Sequence, residues 1–168
     1  AMPLTADGVP FVGVPYCFLP IGQMRTGLPV QVNGSFRPTP HRRELWLPGE
    51  EVDGNHEKFA LWNEVLMNDA VPALWLAALR NLASAGIATT AGGIATTAGR
   101  QFDILSVLPD LAAVDNVWRP CAEKLYTLIS GEPLLPHSGS RQWVIPREAL
   151  GVVAPAALAS QVKGVMRL

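Results

Sequence analysis

The sequence lacks most of the features that announce a function on their own. No stretch approaches the roughly 18 uninterrupted apolar residues of a membrane-crossing helix, so no membrane partner is expected. The opening AMPLTADG has neither a basic region nor a hydrophobic core and does not read as a signal peptide. There are only two cysteines, Cys17 and Cys121, far apart and set among apolar neighbours. They read as buried, reduced thiols of a cytoplasmic protein rather than a disulfide framework. No His or Cys pair stands at ligand spacing, which excludes the common metal motifs. Neither positive nor negative residues are in marked excess. With 13 Lys and Arg against 14 Asp and Glu the net charge is −1, and only Arg42 and Arg43 are adjacent basic residues. A nucleic-acid partner, which calls for a basic face, is therefore not expected. A nucleophile elbow, a cysteine-protease motif and His-Glu-x-x-His are all absent, and His41, His56 and His137 read as surface or capping residues.

What is present is a chain of 168 residues, 49% apolar and 16% charged. That is one domain, or one domain with an appended subdomain, able to bury about 70% of its unfolded surface. The densest stretch runs from Cys17 to Trp46, CFLPIGQMRTGLPVQVNGSFRPTPHRRELW. Residues 1–10 read as a lead-in, with Ala1-Met2 resembling a cloning remnant. The final PAALASQVKGVMRL stops inside a helical pattern, as expected of a segment of a longer polypeptide. Phe11 to Leu19 suits a strand, with Pro15 at an edge or bulge. Leu28 to Phe36 suits a second, because Leu28, Val30 and Val32 alternate with Pro29, Gln31 and Asn33. Asn33-Gly34 favours a tight turn or kink, and Arg43 to Leu47 is short enough for a third strand. The acidic loop from Pro48 to Asn55 lacks the ligand alternation of a calcium loop and reads as solvated.

The longest helical pattern runs from about His56 to Ser84, with an apolar stripe of Phe59, Trp62, Leu66, Ala70, Leu74, Ala77 and Ala78. Asn55 is placed to cap it, and Pro72 should kink or divide it. Residues 86–92 and 93–99 both read GIATTAG. This tandem copy is a poor helix and lacks the Gly-Lys-Ser/Thr ending of a phosphate loop, so it reads as a loop expansion. Gln101 to Leu108 suggests a short helix. Asp115 should cap a further helix whose Trp118, Cys121, Ala122, Leu125, Tyr126 and Ile129 share a face, with Gly131 closing it. Gln142 to Ile145 suits a strand in a late hairpin, followed by a short helix from Pro146 through Leu150 and a last one near residues 155–167. The expected fold class is α+β: a small, mainly antiparallel sheet packed against helices, with a helical C-terminal part. The expected divisions are 1–10 (lead-in), 11–85 (sheet plus long kinked helix), 86–100 (repeat loop) and 101–168 (helical part).

Two patterns invite a chemical reading. Glu64 and Asn68 are spaced like the Glu/Asn helix of GHKL ATPases, but the required Asp-x-Gly-x-Gly does not follow, and both occupy the polar side of an amphipathic helix. Arg42 and Arg43 carry the one live claim, since a guanidinium can clamp phosphate or stabilise charge in phosphoryl transfer. In an extended segment they would point to opposite sides, so at most one faces a ligand. The alternative is one salt bridge and one solvated arginine.

The run CFLP…TGLPVQVNGSF…HRRELWLPG closely resembles the recurring large repeat of the sacsin family, where a phrase of this type follows an ATPase domain of the heat-shock-protein-90 kind. The resemblance continues through Trp62-Asn63-Glu64 and Pro72, and resumes at Trp118, Leu125-Tyr126, Glu132-Pro133-Leu134-Leu135, Gln142-Trp143-Val144, Pro146, Glu148 and Ala149. It covers roughly residues 11–84 and 115–150. His41 stands where the family usually has Asn, and Gln31 where it usually has His. The motif residues are Thr26, Gly27, Leu28, Pro29, Val30, Val32, Asn33, Gly34, Phe36, Trp46, Trp62 and Trp143. The resemblance implies a transducer-like or middle-domain-like fold in a cytoplasmic chaperone. It implies a non-catalytic, protein-binding or scaffolding role, with protein clients or neighbouring repeat segments as partners. It implies no cofactor in this stretch, ATP and magnesium belonging to a preceding domain. The alternative it implies is a transducer in which Arg42 or Arg43 reaches ATP held by that domain.

Overall fold

The computed structural model describes residues 11, 13–49, 54–84, 89–90, 93–95, 101–102, 107–136 and 143–145. Strand β1 (Pro15–Cys17) lies between β2 (Leu19–Pro20) and β3 (Val32–Asn33). Proline 15 opens its strand, a position where a missing N–H does little harm, and its carbonyl accepts the Ile21 N–H at 2.9 Å. The β2 pairing is antiparallel, through Tyr16–Pro20 and Cys17–Leu19. The β3 pairing is parallel, through Pro15–Val32 and Tyr16–Asn33. The expected α+β class therefore stands, but this sheet is mixed rather than mainly antiparallel. The stretch from Phe18 to Gln31 is long enough for the crossover of about a dozen residues that a parallel pair requires. Asn33-Gly34 forms no hairpin turn. The Gly34 N–H instead donates to the Tyr16 carbonyl at 3.0 Å and prolongs the ladder. The expected third strand is reduced to one antiparallel bridge between Pro38 and Leu45. The chain between them is a tight loop closed by Thr39 N–H to Glu44 O at 2.9 Å and Arg42 N–H to Thr39 O at 2.8 Å.

The long helix runs without a break as α1 (Gly54–Val65), a π-helical turn (Leu66–Ala70) and α2 (Val71–Ser84). Pro72 neither ends nor divides it. Proline has no N–H for the carbonyl four residues back and would crowd it. One turn earlier the hydrogen bonding switches to the wider π pattern, with Val71 N–H reaching Leu66 O. The inserted residue also resets which face is buried. The core side carries Ala60, Asn63, Met67, Pro72, Trp75, Leu76 and Leu79, whereas Leu74 is 70% exposed and Phe59 and Trp62 are partly so. The stripe expected from Phe59 to Ala78 is thus largely the outer face.

Helix α3 (Arg119–Ile129) packs on α2 and on the π turn. Trp118, Cys121, Ala122, Leu125 and Ile129 are buried as their spacing predicts, while Arg119, Glu123 and Lys124 are exposed. Asp115 caps the turn before the helix rather than the helix itself, its carboxylate accepting the Val117 N–H at 2.9 Å. Ile21, Leu28, Phe36 and Leu45 from the motif stretch join the same core as these helices. A side chain of this kind fully withdrawn from water contributes about 1.5–3 kcal/mol. At the end of α3, Arg80 of α2 grips Glu132 through two hydrogen bonds of 3.0 and 2.6 Å. That hydrogen bonding holds the Glu132 carboxyl below its ordinary value.

Burial pushes the Cys121 thiol up to about 12. The unfolded thiol ionises near its ordinary value of about 8.5, so from there upward the unfolded state releases a proton that the folded state keeps. Folding stability contributed by this group is intact below about pH 8.5 and is lost as pH rises toward the folded value. Tyr126, raised by its burial and by the charge of Asp110, acts in the same direction. The thermal midpoint should fall in alkaline solution, and Cys121→Ala should flatten that slope without abolishing it. Calorimetry across an alkaline pH series measures both.

Two further strand groups are present. Strands β4 (Thr89–Thr90), β5 (Gly93–Ala95) and β6 (Gln101–Phe102) form an antiparallel sheet. The described residues of the GIATTAG copies are therefore strand, and Gln101 and Phe102 belong to that sheet rather than to the short helix expected there. Strands β7 (Leu135–Pro136) and β8 (Trp143–Val144) pair antiparallel, which is the late hairpin. The lead-in 1–10 and the two helices expected after Pro146 lie outside the described residues. Among the described residues no helix is long and apolar enough to cross a membrane.

Candidate functional site

The Thr-Gly-Leu-Pro segment is a backbone docking point. Thr26 is fully buried. Its N–H donates to Gly13 O at 2.9 Å, its carbonyl accepts the Asp115 N–H at 3.1 Å, and its hydroxyl oxygen accepts the Leu28 N–H at 3.0 Å. Gly27 adopts φ +66°, and a Cβ there would stand 2.1 Å from Ala113 O and 2.8 Å from Val114 Cα. Only glycine combines that conformation with so close an approach. Leu28 and Val32 point into the core, Pro29 and Val30 are half-buried, and Asn33 is exposed. Gly34 lies under the Phe36 ring, which meets Trp118 edge-on with centroids 5.9 Å apart.

Asn63 ties this stretch to α1. It is fully buried. Its side-chain oxygen accepts the Arg37 N–H at 2.7 Å, and its amide donates to Arg37 O at 2.8 Å and Trp46 O at 2.9 Å. One turn of helix thereby clamps both sides of the loop that carries the two arginines. The sequence holds the clue, since Ala60, Asn63 and Met67 are spaced along one buried face. The polarity of Asn63 hides it from a search for apolar stripes. Around the clamp, Trp46 stacks on His56 with centroids 4.1 Å apart, Arg37 lies 5.7 Å from the Phe59 centroid, and the Trp62 indole N–H donates to Ser35 O at 2.9 Å. Trp143 is placed by its β8 pairing with Pro136.

Arg42 and Arg43 are not in an extended segment. Arg42 has φ +53°, and its guanidinium donates to the Cys17 carbonyl at 2.9 Å. Arg43 is exposed, and its Cα packs against Gly22, where a Cβ would come within 2.4 Å. The loop is thus pressed onto the β1–β2 turn. At the tip of that turn Phe18 has φ +62° and is 89% exposed, with Leu19 beside it at 64%. Beneath them the Cys17 thiol donates to Phe36 O at 3.2 Å. The two non-glycine residues with positive φ in the described chain are therefore coupled by a single hydrogen bond, from Arg42 to the peptide preceding Phe18. An exposed ring in the left-handed region contributes strain without packing. Phe18→Asn, which tolerates that region, should raise stability by about 1 kcal/mol, read as a shifted urea midpoint at unchanged slope. Among the described residues no group of three His, Cys, Asp or Glu is gathered as a metal site.

The site so defined is a motif-built, hydrogen-bonded loop cluster of an α+β region, with an apolar tip and an arginine turn. Among curated proteins, the chain is similar to human sacsin, 34% identical over 80 residues. That alignment takes in 46% of this chain and 2% of sacsin. It is a partial and distant match to one small part of a far longer protein. No family model matches the chain, and no solved structure matches it.

Proposed function

We propose that this chain is a sacsin-related, non-catalytic protein-binding or scaffolding module of a chaperone-type protein, working beside an ATPase domain of a longer polypeptide. The observation that carries this reading is the division of labour among its residues. The motif residues Thr26, Gly27, Leu28, Val32 and Phe36 are engaged in packing and backbone docking, while Phe18, Leu19, Leu61, Val65 and Leu74 remain exposed. Phe18 and Leu19 are adjacent, and Leu61 and Val65 stand one turn apart on α1, so these side chains form pairs that a protein partner can cover. The test is whether the chain suppresses aggregation of a model client, or binds neighbouring segments of the longer polypeptide. Failure in both assays removes the reading.

A second reading, in which an arginine reaches the terminal phosphate of ATP in a preceding domain, draws support from the exposure of Arg43. Arg42 is already engaged with the Cys17 carbonyl, so Arg43 is the better candidate. In a longer chain carrying the ATPase domain, Arg43→Ala should then lower turnover while Arg42→Lys should act mainly on stability. Unchanged turnover in Arg43→Ala would sink it.

A further inference from the structure

We infer that the Phe18–Leu19 tip and the arginine turn behind it dock an acidic, amphipathic segment of a partner protein; this refines the protein-binding reading above and rests on it. Three independent observations converge on the surface. First, Phe18 is the most exposed large apolar side chain in the described chain, at 89%, and its neighbour Leu19 is 64% exposed. Second, the tip is held in a strained shape. Phe18 at φ +62° is braced by Arg42 at φ +53° through the Cys17 carbonyl, and Cys17 is itself tied to Phe36 O. Strained backbone persists only where the surroundings enforce it, and it concentrates where a fixed geometry serves binding. Third, basic residues outnumber acidic ones along this stretch even though the whole chain is nearly neutral. From Gly8 to Glu44 the sequence sets four arginines, Arg25, Arg37, Arg42 and Arg43, against one carboxylate, Glu44, and the two arginines of the turn lie against Cys17 and Gly22 beside the tip.

The chemistry of the occupant follows. An apolar stripe covers Phe18 and Leu19, and carboxylates flanking the stripe meet Arg43, an exposed residue of the arginine turn. Complementary charge of this kind steers encounter and rejects basic competitors. The rigidity of the tip favours a shaped protein partner over an anionic membrane. A backbone braced in one conformation lowers the ordering cost of presenting its side chains to a defined surface, whereas a fluid bilayer makes no such demand and two apolar side chains anchor poorly in it.

The experiment pans the full chain against a displayed library of short helical peptides with a constant leucine stripe. Flanking positions vary among Glu, Lys, Gln and Ser. The expected result is enrichment of Glu over Lys, with the selected peptides weakened about tenfold or more by Phe18→Asn and by Arg43→Glu. Asn keeps the left-handed backbone and Arg43 is a surface residue, and circular dichroism with thermal melting confirms that both variants fold. Enrichment of Lys, no charge preference, or peptides that bind both variants as tightly as the unaltered chain would overturn the tip, while protein binding elsewhere would stand. Absence of any binder, together with failure of the client assay, would remove the protein-binding reading as well. Phe18-dependent sedimentation with phosphatidylserine vesicles in place of peptide binding would overturn the proposal in favour of a membrane.

Discussion

Replacing Asn63 by alanine should destabilise the chain by about 3 kcal/mol, measured as the loss of unfolding free energy in urea. The size follows from what the side chain leaves behind. Arg37 O retains the Trp46 N–H at 3.3 Å, so its loss is partial. The Arg37 N–H and the Trp46 carbonyl lose the partners they have in Asn63. An orphaned group of this kind costs about 1–3 kcal/mol, less where water can reach it, and both lie in a part-buried setting. The change should also be visible locally, because Trp46 and Trp62 flank the clamp and their fluorescence reports its loosening. Asn63→Asp separates polarity from hydrogen bonding. It keeps an acceptor for Arg37 N–H but, when ionised, faces two carbonyls with no donor. Burial then favours the protonated acid, so the folded state holds its proton to higher pH than the unfolded state. Its penalty should grow as pH rises from the acid range toward neutrality. A loss of less than about 1 kcal/mol in Asn63→Ala would show that the loop holds its shape without the clamp.

Gly27→Ala should cost about 3 kcal/mol or more, and Gly49→Ala should not. Both glycines have positive φ, +66° and +90°, so both substitutions incur a backbone penalty of about 1–2 kcal/mol. They differ in what the new methyl group meets. At Gly49 nothing among the described residues lies within 4 Å, whereas at Gly27 the obstacles are Ala113 O at 2.1 Å and Val114 Cα at 2.8 Å. These are backbone atoms and cannot rotate away. Either the turn or the segment from Asp110 to Asp115 must move, and the Asp115–Thr26 hydrogen bond moves with it. The comparison of the two variants in one denaturation series isolates the steric part. Equal losses would mean that conformation alone, not close approach, fixes glycine in the motif.

The two long helical stretches show how unevenly the fold is legible in the sequence. Around α3 the rule of three and four works. Trp118, Cys121, Leu125 and Ile129 are apolar, evenly spaced and all buried. In the longer helix the same rule selects Phe59, Trp62 and Leu74, which face outward. Two physical facts defeat it there. The π turn inserts a residue midway, so no single period spans both halves, and the innermost position of α1 is the polar Asn63. The motif stretch is legible as core, through Leu28 and Val32, but not as topology. A parallel pairing of β1 and β3 depends on the path from Phe18 to Gln31, and strand alternation is blind to strand direction. The pair Arg42 and Arg43 could be singled out from sequence. Their opposite roles could not, because they follow from a left-handed residue in a tight loop, not from extended alternation. Phe18 and Leu19 read as the last two residues of a strand, and only the turn between Cys17 and Leu19 exposes them.

The π turn at Leu66–Ala70 makes the long helix a counted object. A deletion or insertion of one residue anywhere between Gly54 and Ser84 would rotate everything beyond it by about 100°. The half that grips the arginine loop and the half that lies on α3 would then be out of phase, with Leu74 or its neighbour turned inward in place of the packed Trp75 and Leu79. Single substitutions on the outer face should be freely exchanged among relatives, while changes of length should not. Length variation in such a chain has to be absorbed elsewhere, and the doubled GIATTAG just beyond the helix stands where a gain of seven residues leaves that count untouched.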